Sequence, residues 1–283
     1  MSGEIKNHII PFSHKQNLHT HSTYVDGKDT PEELILEAIQ RGFGAIGFSE
    51  HSYLECSPFP NRLTLDRMEQ YKKEIKELKS KYRDRIQIFC GLEYEFFSDL
   101  DTEDLDYLIG SVHYLDCGGR VVTFDLGLNE TIDYVKEYFG GDGLAFAKKY
   151  FETVARLPER KAFDIIGHFD LVSKNNDRGG FFDTLSQEYL HAGMEAIHAL
   201  KGKIPFFEVN TGAISRGYKT EAYPQMEFLR EFQRCGFGAL ITSDCHAKRF
   251  IDCDFEGAKE LLLAAGFRSR YILTDNGFEE VAL

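Results

Sequence analysis

The sequence contains no apolar run near the roughly 20 residues that a membrane-spanning helix requires. It also contains no internal repeat, no low-complexity tract and no Pro/Ser-rich linker. The amino-terminal segment MSGEIKNHIIPF lacks the charged start, apolar stretch and small-residue cleavage site of a signal peptide. These absences argue against a membrane protein, a repeat protein and a secreted protein. They favour a single globular domain that spans residues 1–283.

Closely spaced cysteine pairs and an excess of basic residues are absent as well. None of the six cysteines forms a CxxC motif, and several lie in apolar strand-like runs. We therefore expect buried, reduced thiols and a cytoplasmic protein. The 33 Lys and Arg residues face 46 Asp and Glu residues, which gives a net charge of −13. Because proteins that follow a nucleic-acid backbone present basic surfaces, we expect no nucleic-acid partner.

Short apolar runs alternate with helical segments along the chain. The runs that predict strands lie at 16–21, 45–51, 86–94, 107–114, 163–170, 204–211 and 238–244. They are mostly continuously apolar, as strands buried on both faces of a sheet require. Helices are predicted over 31–41, 66–83, 130–157, 184–200, 222–235 and 255–265. This alternation predicts an α/β barrel with one strand fewer than the usual eight. The run YILTD at 271–275 is either an eighth strand or a terminal extension.

Side chains that bind metals follow these predicted strands at the point where each strand ends. They are His19, His21, Asp26, His51, Glu93, His113, His168, Asp244 and His246. A barrel of parallel strands gathers all its strand C-termini at one mouth. Zinc usually takes four ligands, so this set is too large for one ion. The pattern therefore predicts a multinuclear metal site and hydrolytic chemistry.

Each of these histidines alone is more often a hydrogen-bonded core residue than a ligand. Two features of their placement favour ligands. His19 and His21 are two residues apart on a strand and share a face, as do Asp244 and His246. Six of the ten histidines lie at the end of an apolar run, which a random distribution of core histidines does not explain.

The mixture of ligands also indicates which ions and substrates the site would accept. Imidazole and carboxylate together suit zinc, iron or manganese better than calcium or magnesium. Six neutral imidazoles and three carboxylates would leave three divalent ions with about three excess positive charges, which favours an anionic substrate. Glu50 and Asp170 lie beside ligand positions, where a hydrogen bond to a ligand imidazole is their expected role.

The motifs HTHSTYVDG, SEH, GLEYE, SVHY, GHFD, EVNTG and SDCH occur in this order between about residues 16 and 265. In this order they resemble the PHP (polymerase and histidinol phosphatase) family. The resemblance implies a distorted (β/α)7 barrel with three metals at the C-terminal mouth of the strands. It divides the ligands among three ions: one held by His19, His21, Glu93 and Asp244, one by Glu93, His113 and His168, and one by Asp26, His51 and His246.

The resemblance also implies two arginines that bind substrate phosphate. The segment LVSKNNDRGG resembles a phosphate-binding loop and suggests Arg178, and NTGAISRGY suggests Arg216. NTGAI stands where NTSGL is more usual, and Asp26 stands where many members have histidine. Arginine suits this role because its forked donors match phosphate oxygens. Either Asp244 or His246 is the expected proton donor to the leaving oxygen.

We therefore expect a cytoplasmic hydrolase of phosphoric monoesters, a monomer or homodimer, that acts on L-histidinol phosphate in histidine biosynthesis. Glu208, at the end of the sixth predicted strand, is a candidate for contact with the amine or imidazole of this substrate. The alternatives are a phosphodiesterase or nuclease of the same family and a phosphatase for another small ester. Less favoured are an amidohydrolase-like enzyme that cleaves C–N bonds and a non-catalytic metal-binding module.

Overall fold

The computed structural model describes residues 13–59 and 63–283. The segment MSGEIKNHIIPF, on which the expectation about a signal peptide depends, lies outside the described residues. Within the described ranges, no helix combines the length and the apolar character that crossing a membrane requires.

Seven parallel strands form the central sheet. The strands of the chain are β1 (Gln16–Asn17), β2 (Ala45–His51), β3 (Gln87–Glu95), β4 (Tyr107–Ser111), β5 (Tyr114–Asp116), β6 (Val121–Thr123), β7 (Ile165–Ile166), β8 (Phe206–Asn210), β9 (Gly238–Thr242), β10 (Ser269–Thr274) and β11 (Gly277–Ala282). The central sheet has the order β1-β2-β3-β4-β7-β8-β9. Its two edges meet just beyond β1 and β9, at a parallel bridge between Thr20 and Cys245. The predicted (β/α)7 barrel is confirmed, nearly closed rather than fully closed.

Helices surround the sheet. They are α1 (Pro31–Gln40), α2 (Leu65–Tyr82), α3 (Leu128–Phe139), α4 (Gly143–Val154), α5 (Asn176–Gly179), α6 (Gln187–Leu200), α7 (Gly212–Ser215), α8 (Met226–Cys235) and α9 (Phe255–Ala265). The single helix predicted over 130–157 is wrong. Gly140 and Gly141 have φ angles of 62° and 86°, a left-handed conformation that glycine adopts at little cost, and they separate α3 from α4.

Two antiparallel hairpins lie outside the barrel. The pair β5–β6 follows β4 directly and was not predicted. The pair β10–β11 contains the run YILTD, which is therefore a terminal extension and not an eighth barrel strand. The Gln16 side chain donates to Leu273 O over 2.8 Å and accepts from Leu273 N over 2.8 Å. These bonds attach β10 at β1, the first strand of the barrel.

The barrel interior is a packed apolar core. It contains the buried residues Leu18, Ala45, Phe89, Tyr107, Ile109, Ile165, Leu240 and Leu273. The ring of Tyr107 fits only because two neighbouring strands carry glycine. A Cβ on Gly47 would lie 2.4 Å from Tyr107 Oη, and a Cβ on Gly91 would lie 2.3 Å from its Cζ. The interior is thus filled by side chains, as in other barrels of this class.

Candidate metal centre

The inward face of each strand changes from apolar to polar as the strand approaches the mouth. Along β3, Phe89, Gly91 and Glu93 are two residues apart and point to the same side. Four more polar side chains each lie an even number of residues after a core residue of their own strand, so they point to the same side, above the core. They are His51, His113, Glu208 and Asp244. The metal-binding side chains therefore stand on the packed interior of the barrel.

Glu93 lies at the centre of this group of side chains. Its Oε2 atom lies 3.3 Å from His19 Nε2, 3.5 Å from His21 Nε2 and 2.8 Å from His51 Nδ1. The carboxylate is only 1% exposed, so these imidazoles supply most of its polar surroundings. One oxygen of Glu93 thus faces three of the predicted ligands.

The other oxygen of Glu93 faces a second group. Glu93 Oε1 lies 2.8 Å from His168 Nε2 and 3.4 Å from His113 Nε2. The two Nε2 atoms lie 3.2 Å apart, so they face the same small volume. A carboxylate with one oxygen directed at each of two imidazole groups has the arrangement of a bridging ligand.

A third group surrounds Asp26 on the more open side of the site. Asp26 Oδ2 lies 3.2 Å from His246 Nε2 and 3.5 Å from His51 Nε2, and its Oδ1 lies 3.8 Å from His21 Nδ1. Donor atoms from these four residues all lie within 4.8 Å of one another. A metal ion between them would have imidazole and carboxylate ligands.

Asp244 completes the set from an unusual backbone position. Its φ angle is 46°, and its Oδ1 lies 3.2 Å from His21 Nε2. Arg216 Nη2 donates to Asp244 Oδ2 over 2.7 Å. Burial opposes ionisation, but Arg216 and His19 hold the pKa of Asp244 well below its usual range. Gly212 makes the approach possible, since a Cβ there would lie 2.8 Å from Arg216 Nη2 and 2.7 Å from Asp244 Cβ.

The residues fit divalent metal ions. His19 Nε2, both ring nitrogens of His21 and Glu93 Oε2 are buried without a hydrogen-bond partner, although buried polar atoms are normally satisfied. Burial lowers the pKa of an imidazole, yet Glu208, Glu93 and Asp244 raise the pKa of His19 well above its usual range. The negative potential that favours a proton there also favours a cation. Imidazole and carboxylate donors together suit zinc, iron or manganese.

Two buried carboxylates orient ligand imidazoles from behind. Glu208 Oε2 lies 2.9 Å from His19 Nδ1, and Glu208 Oε1 accepts from His168 N over 2.7 Å. Glu95 Oε2 lies 3.1 Å from His113 Nδ1. Such contacts determine which ring nitrogen faces a metal. The expectation that Glu208 contacts the outer part of a substrate is wrong, because this residue is 0% exposed.

The sequence analysis assigned this orienting role to Glu50 and Asp170, and that assignment is wrong. Glu50 Oε1 accepts from Ser22 N over 2.9 Å, and Asp170 Oδ2 accepts from Gln225 N over 3.1 Å. Glu50 precedes a ligand by one residue on β2, so the alternation of a strand turns it to the opposite face. Glu95 and Glu208 contact imidazoles of other segments of the chain, and position relative to a ligand in the sequence does not reveal such contacts.

Replacing Glu208 with glutamine tests its orienting role. Glu208→Gln preserves the size of the side chain but removes the charge beside His19, so we expect metal affinity to fall by about 10–100-fold. Competition with a chelator measures this loss. Asp170→Asn is the matched control, because it neutralises a buried carboxylate that bonds to Gln225 instead. Unchanged affinity in Glu208→Gln, or an equal loss in both variants, would contradict the role.

A cavity of about 350 Å³ opens above the metal ligands. Its lining includes the ligands Asp26, His51, His113, His168, Asp244 and His246, the apolar residues Val25, Leu54, Phe59 and Leu171, and two cationic residues, Lys174 and Arg216. Arg216 Nη1 lies 2.9 Å from His246 Nδ1. Lys174 Nζ pairs with Asp125 Oδ1 over 2.6 Å. Burial opposes ionisation of Asp125, but Lys174 lowers its pKa below the usual range.

Of the two predicted phosphate-binding arginines, the structure brings only Arg216 to the cavity. Arg178 is exposed on the short helix α5, where its Nη2 donates to Asn175 Oδ1 over 3.3 Å. Lys174, in the same LVSKNNDRGG segment, lines the cavity instead. Lys174 is also a basic residue close to GHFD, so it was a second candidate in the sequence. Arg178 was predicted instead because the forked donors of arginine match phosphate oxygens.

Comparison with known proteins places the chain in a family. The PHP domain family matches residues 17–212. The chain is 28% identical over 259 residues to a probable histidinol-phosphatase of Schizosaccharomyces pombe, which covers 84% of this chain and 82% of that protein. It is 27% identical over 266 residues to the histidinol-phosphatase of Lactococcus lactis subsp. lactis, covering 89% of this chain and 92% of that protein.

A solved structure supports the fold. The structure of histidinol phosphate phosphatase from Lactococcus lactis subsp. lactis, complexed with zinc, L-histidinol and phosphate, superposes with a TM-score of 0.72. The two chains are 22% identical, and the superposition covers 94% of this chain and 98% of the other. The resemblance inferred from the motifs is confirmed, and this chain belongs to the PHP domain family.

Proposed function

We propose that this protein is a metal-dependent phosphomonoesterase that hydrolyses L-histidinol phosphate to L-histidinol and phosphate. The observation that supports the proposal is the cavity, whose lining combines six candidate metal ligands, two cations and four apolar side chains. Relatives named histidinol-phosphatase that align over most of their length support the choice of substrate. So does the zinc, L-histidinol and phosphate complex of a protein with the same fold.

We further propose that three divalent transition metals bind at the mouth, one in each of the three groups of ligands described above. Zinc, iron and manganese are the candidates. Bound there, such ions would activate water as the nucleophile and neutralise charge on the phosphoryl oxygens. The arrangement of Glu93, with an oxygen in each of two groups, supports at least a pair of neighbouring ions.

Arg216 and Lys174 hold the phosphate in this proposal. Each is already oriented by a carboxylate: Arg216 by Asp244 over 2.7 Å, and Lys174 by Asp125 over 2.6 Å. A cation fixed in this way loses little conformational freedom when an anion binds. Between the two candidate proton donors, Asp244 is disfavoured because Arg216 and His19 keep its pKa well below the usual range despite burial. His246 is itself a proposed metal ligand through Nε2, and Arg216 Nη1 donates to its Nδ1 over 2.9 Å, so a water molecule in the cavity is our proposed donor to the leaving oxygen.

The shape of the cavity favours a small ester over a polymer. Val25, Leu54, Phe59 and Leu171 provide an apolar wall for the alcohol part of the substrate, and a planar imidazole ring fits such a surface. A nuclease requires an open groove with basic side chains along it. Among the described residues, the cavity lining contains only two such side chains, and both lie close to acidic partners.

Phosphate release across a panel of esters tests the proposal. The panel contains L-histidinol phosphate, p-nitrophenyl phosphate, a sugar phosphate, a nucleotide and a phosphodiester, at matched pH and saturating metal. We expect the highest kcat/KM for L-histidinol phosphate, because contacts remote from phosphorus contribute binding energy to the transition state. An equal or lower value than for the sugar phosphate or the nucleotide would overturn this choice of substrate.

A pair of variants tests the assignment of the phosphate site. We expect Lys174→Ala to lower kcat/KM by about 10–150-fold, which corresponds to the roughly 1.5–3 kcal/mol of a hydrogen bond to a charged group. Metal content should not change. Arg178→Ala removes a cation from the same segment, but from an exposed position outside the cavity, and should leave kcat/KM unchanged. A large loss of kcat/KM in Arg178→Ala, with no loss in Lys174→Ala, would show that Arg178 and not Lys174 binds the phosphate.

A further inference from the structure

We propose a second metal site outside the barrel, between helices α6 and α8, for a divalent ion that accepts sulfur and nitrogen ligands. Its ligands are His198 on α6 and Glu231 and Cys235 on α8. His198 Nε2 lies 2.7 Å from Glu231 Oε1, and Cys235 Sγ lies 3.6 Å from the same oxygen. The three donor atoms all lie within 4.8 Å of one another. None of the three residues lines the barrel cavity.

The helices present these ligands in a fixed arrangement. Glu231 and Cys235 are four residues apart on α8, so they occupy one face of the helix. His198 reaches them from α6, which packs closely against α8. A Cβ on Gly193 would lie 2.3 Å from Phe228 Cε1, so this contact sets the distance between the two helices. Bringing the donors together therefore requires little reorganisation of the backbone.

The environment of Glu231 directs one oxygen at the proposed site. Glu231 is only 7% exposed, and its Oε2 accepts from Arg234 Nη2 over 2.5 Å. This leaves Oε1 for His198 and Cys235. Zinc bonds of about 2.0–2.3 Å to these donor types place neighbouring ligands of a tetrahedron roughly 3.5 Å apart. The distances of 2.7 and 3.6 Å lie on either side of that value, so small side-chain shifts suffice.

The chemistry of the set favours a borderline or soft ion. Thiolate, imidazole and one carboxylate oxygen select zinc, cobalt or cadmium over magnesium or calcium. On binding, Cys235 and any protonated His198 release their protons to solvent. Three protein ligands leave one tetrahedral position for water, so the ion is exchangeable. Such an ion would connect α6 to α8 and would therefore stabilise the folded chain rather than take part in turnover.

Cobalt(II) binding tests the proposal, because a cobalt–thiolate bond gives a charge-transfer band in the near ultraviolet. The ligands of the barrel site are imidazoles and carboxylates, so cobalt in that site gives no such band. The full chain, with the exposed Cys56 changed to serine, is first loaded with zinc and then dialysed briefly against a weak chelator, which empties the exchangeable site between α6 and α8 before cobalt is added. We expect the band to saturate at one cobalt per chain, with kcat unchanged.

Three further variants in the same Cys56→Ser background decide the outcome. Cys235→Ser should abolish the band, and His198→Ala should weaken cobalt binding by more than the roughly 10–100-fold that loss of an outer partner costs. His191→Ala is the matched control, since His191 also lies on α6 beside a glutamate, with His191 Nε2 3.3 Å from Glu195 Oε1. Absence of the band in the parent protein, its persistence in Cys235→Ser, or equal weakening by His191→Ala and His198→Ala would each overturn the proposal.

Discussion

Glu93→Gln is expected to lower kcat by at least about 10²–10³-fold while the barrel stays folded. The substitution keeps the size of the side chain but replaces a buried charge that faces five imidazoles with a neutral amide. Burial opposes ionisation of this carboxyl, yet the surrounding histidines lower the pKa of Glu93 well below its usual range, so the lost charge is a full one. Residues at strand C-termini of a barrel serve chemistry more than stability.

Turnover, elemental analysis and circular dichroism together measure this effect. We expect the metal content to fall along with kcat, because the two ligand groups on either side of Glu93 both lose a donor. Glu50→Gln is the control for the change of side chain, since it replaces another buried carboxyl of the neighbouring strand, one that bonds to Ser22 and whose pKa burial raises to about 8. Near-normal turnover with full metal content in Glu93→Gln would show that this residue is not central to the site.

Removal of metal is expected to abolish turnover altogether. The proposed nucleophile is water whose pKa is lowered from 15.7 to about 7 by coordination. Dialysis against a chelator should therefore eliminate activity, and zinc, manganese or iron should restore it. Elemental analysis of gently purified Cys235→Ser protein, which lacks the thiolate of the proposed site between α6 and α8, should give up to three ions per chain, and at most one would contradict the trinuclear proposal.

Chelation should also lower the melting temperature. Ions that bind only the folded state stabilise it by about 2.7 kcal/mol for each site at a free concentration 100 times its Kd. Without them, His19 Nε2 and Glu93 Oε2 stay buried 3.3 Å apart, and no hydrogen bond satisfies either atom. A chelated protein that melts at the same temperature as the loaded protein, yet has lost all its metal, would show that these ions contribute nothing to folding.

The sequence was sufficient to predict that most candidate metal ligands lie together. Parallel strands end at one mouth, and residues two apart share a face, so His19, His21, Glu93 and Asp244 come together by rules that depend on local order alone. The capping box of α1 is equally local: Glu33 N donates to Thr30 Oγ1 over 3.3 Å, and Thr30 N donates to Glu33 Oε2 over 2.9 Å.

The errors arose where a role depends on contacts between distant segments. Glu208 could be placed at a strand end, but its contact with His19, 189 positions away, requires the closed barrel. Lys174 and Arg178 are chemically similar and close in sequence. Lys174 precedes α5 and lines the cavity, whereas Arg178 lies on α5 and is exposed, and this difference depends on the path of the chain. The break between α3 and α4 could have been predicted from the two consecutive glycines, Gly140 and Gly141. It was missed because the apolar pattern continues on both sides of them.

The filled interior of the barrel has a consequence for the order in which products leave. Beneath the metal ligands, Tyr107 occupies the space beside Gly47 and Gly91, and Leu273 of the terminal hairpin belongs to the same core, so the barrel is not a channel. Substrate and products therefore share the mouth. In the proposed binding mode, phosphate lies against the ligands at the floor of the cavity and the alcohol lies nearer the opening, so we expect the alcohol to depart first and phosphate last. Inorganic phosphate then binds the free enzyme and inhibits competitively with the substrate. The alcohol binds the enzyme–phosphate complex, so its inhibition is not competitive.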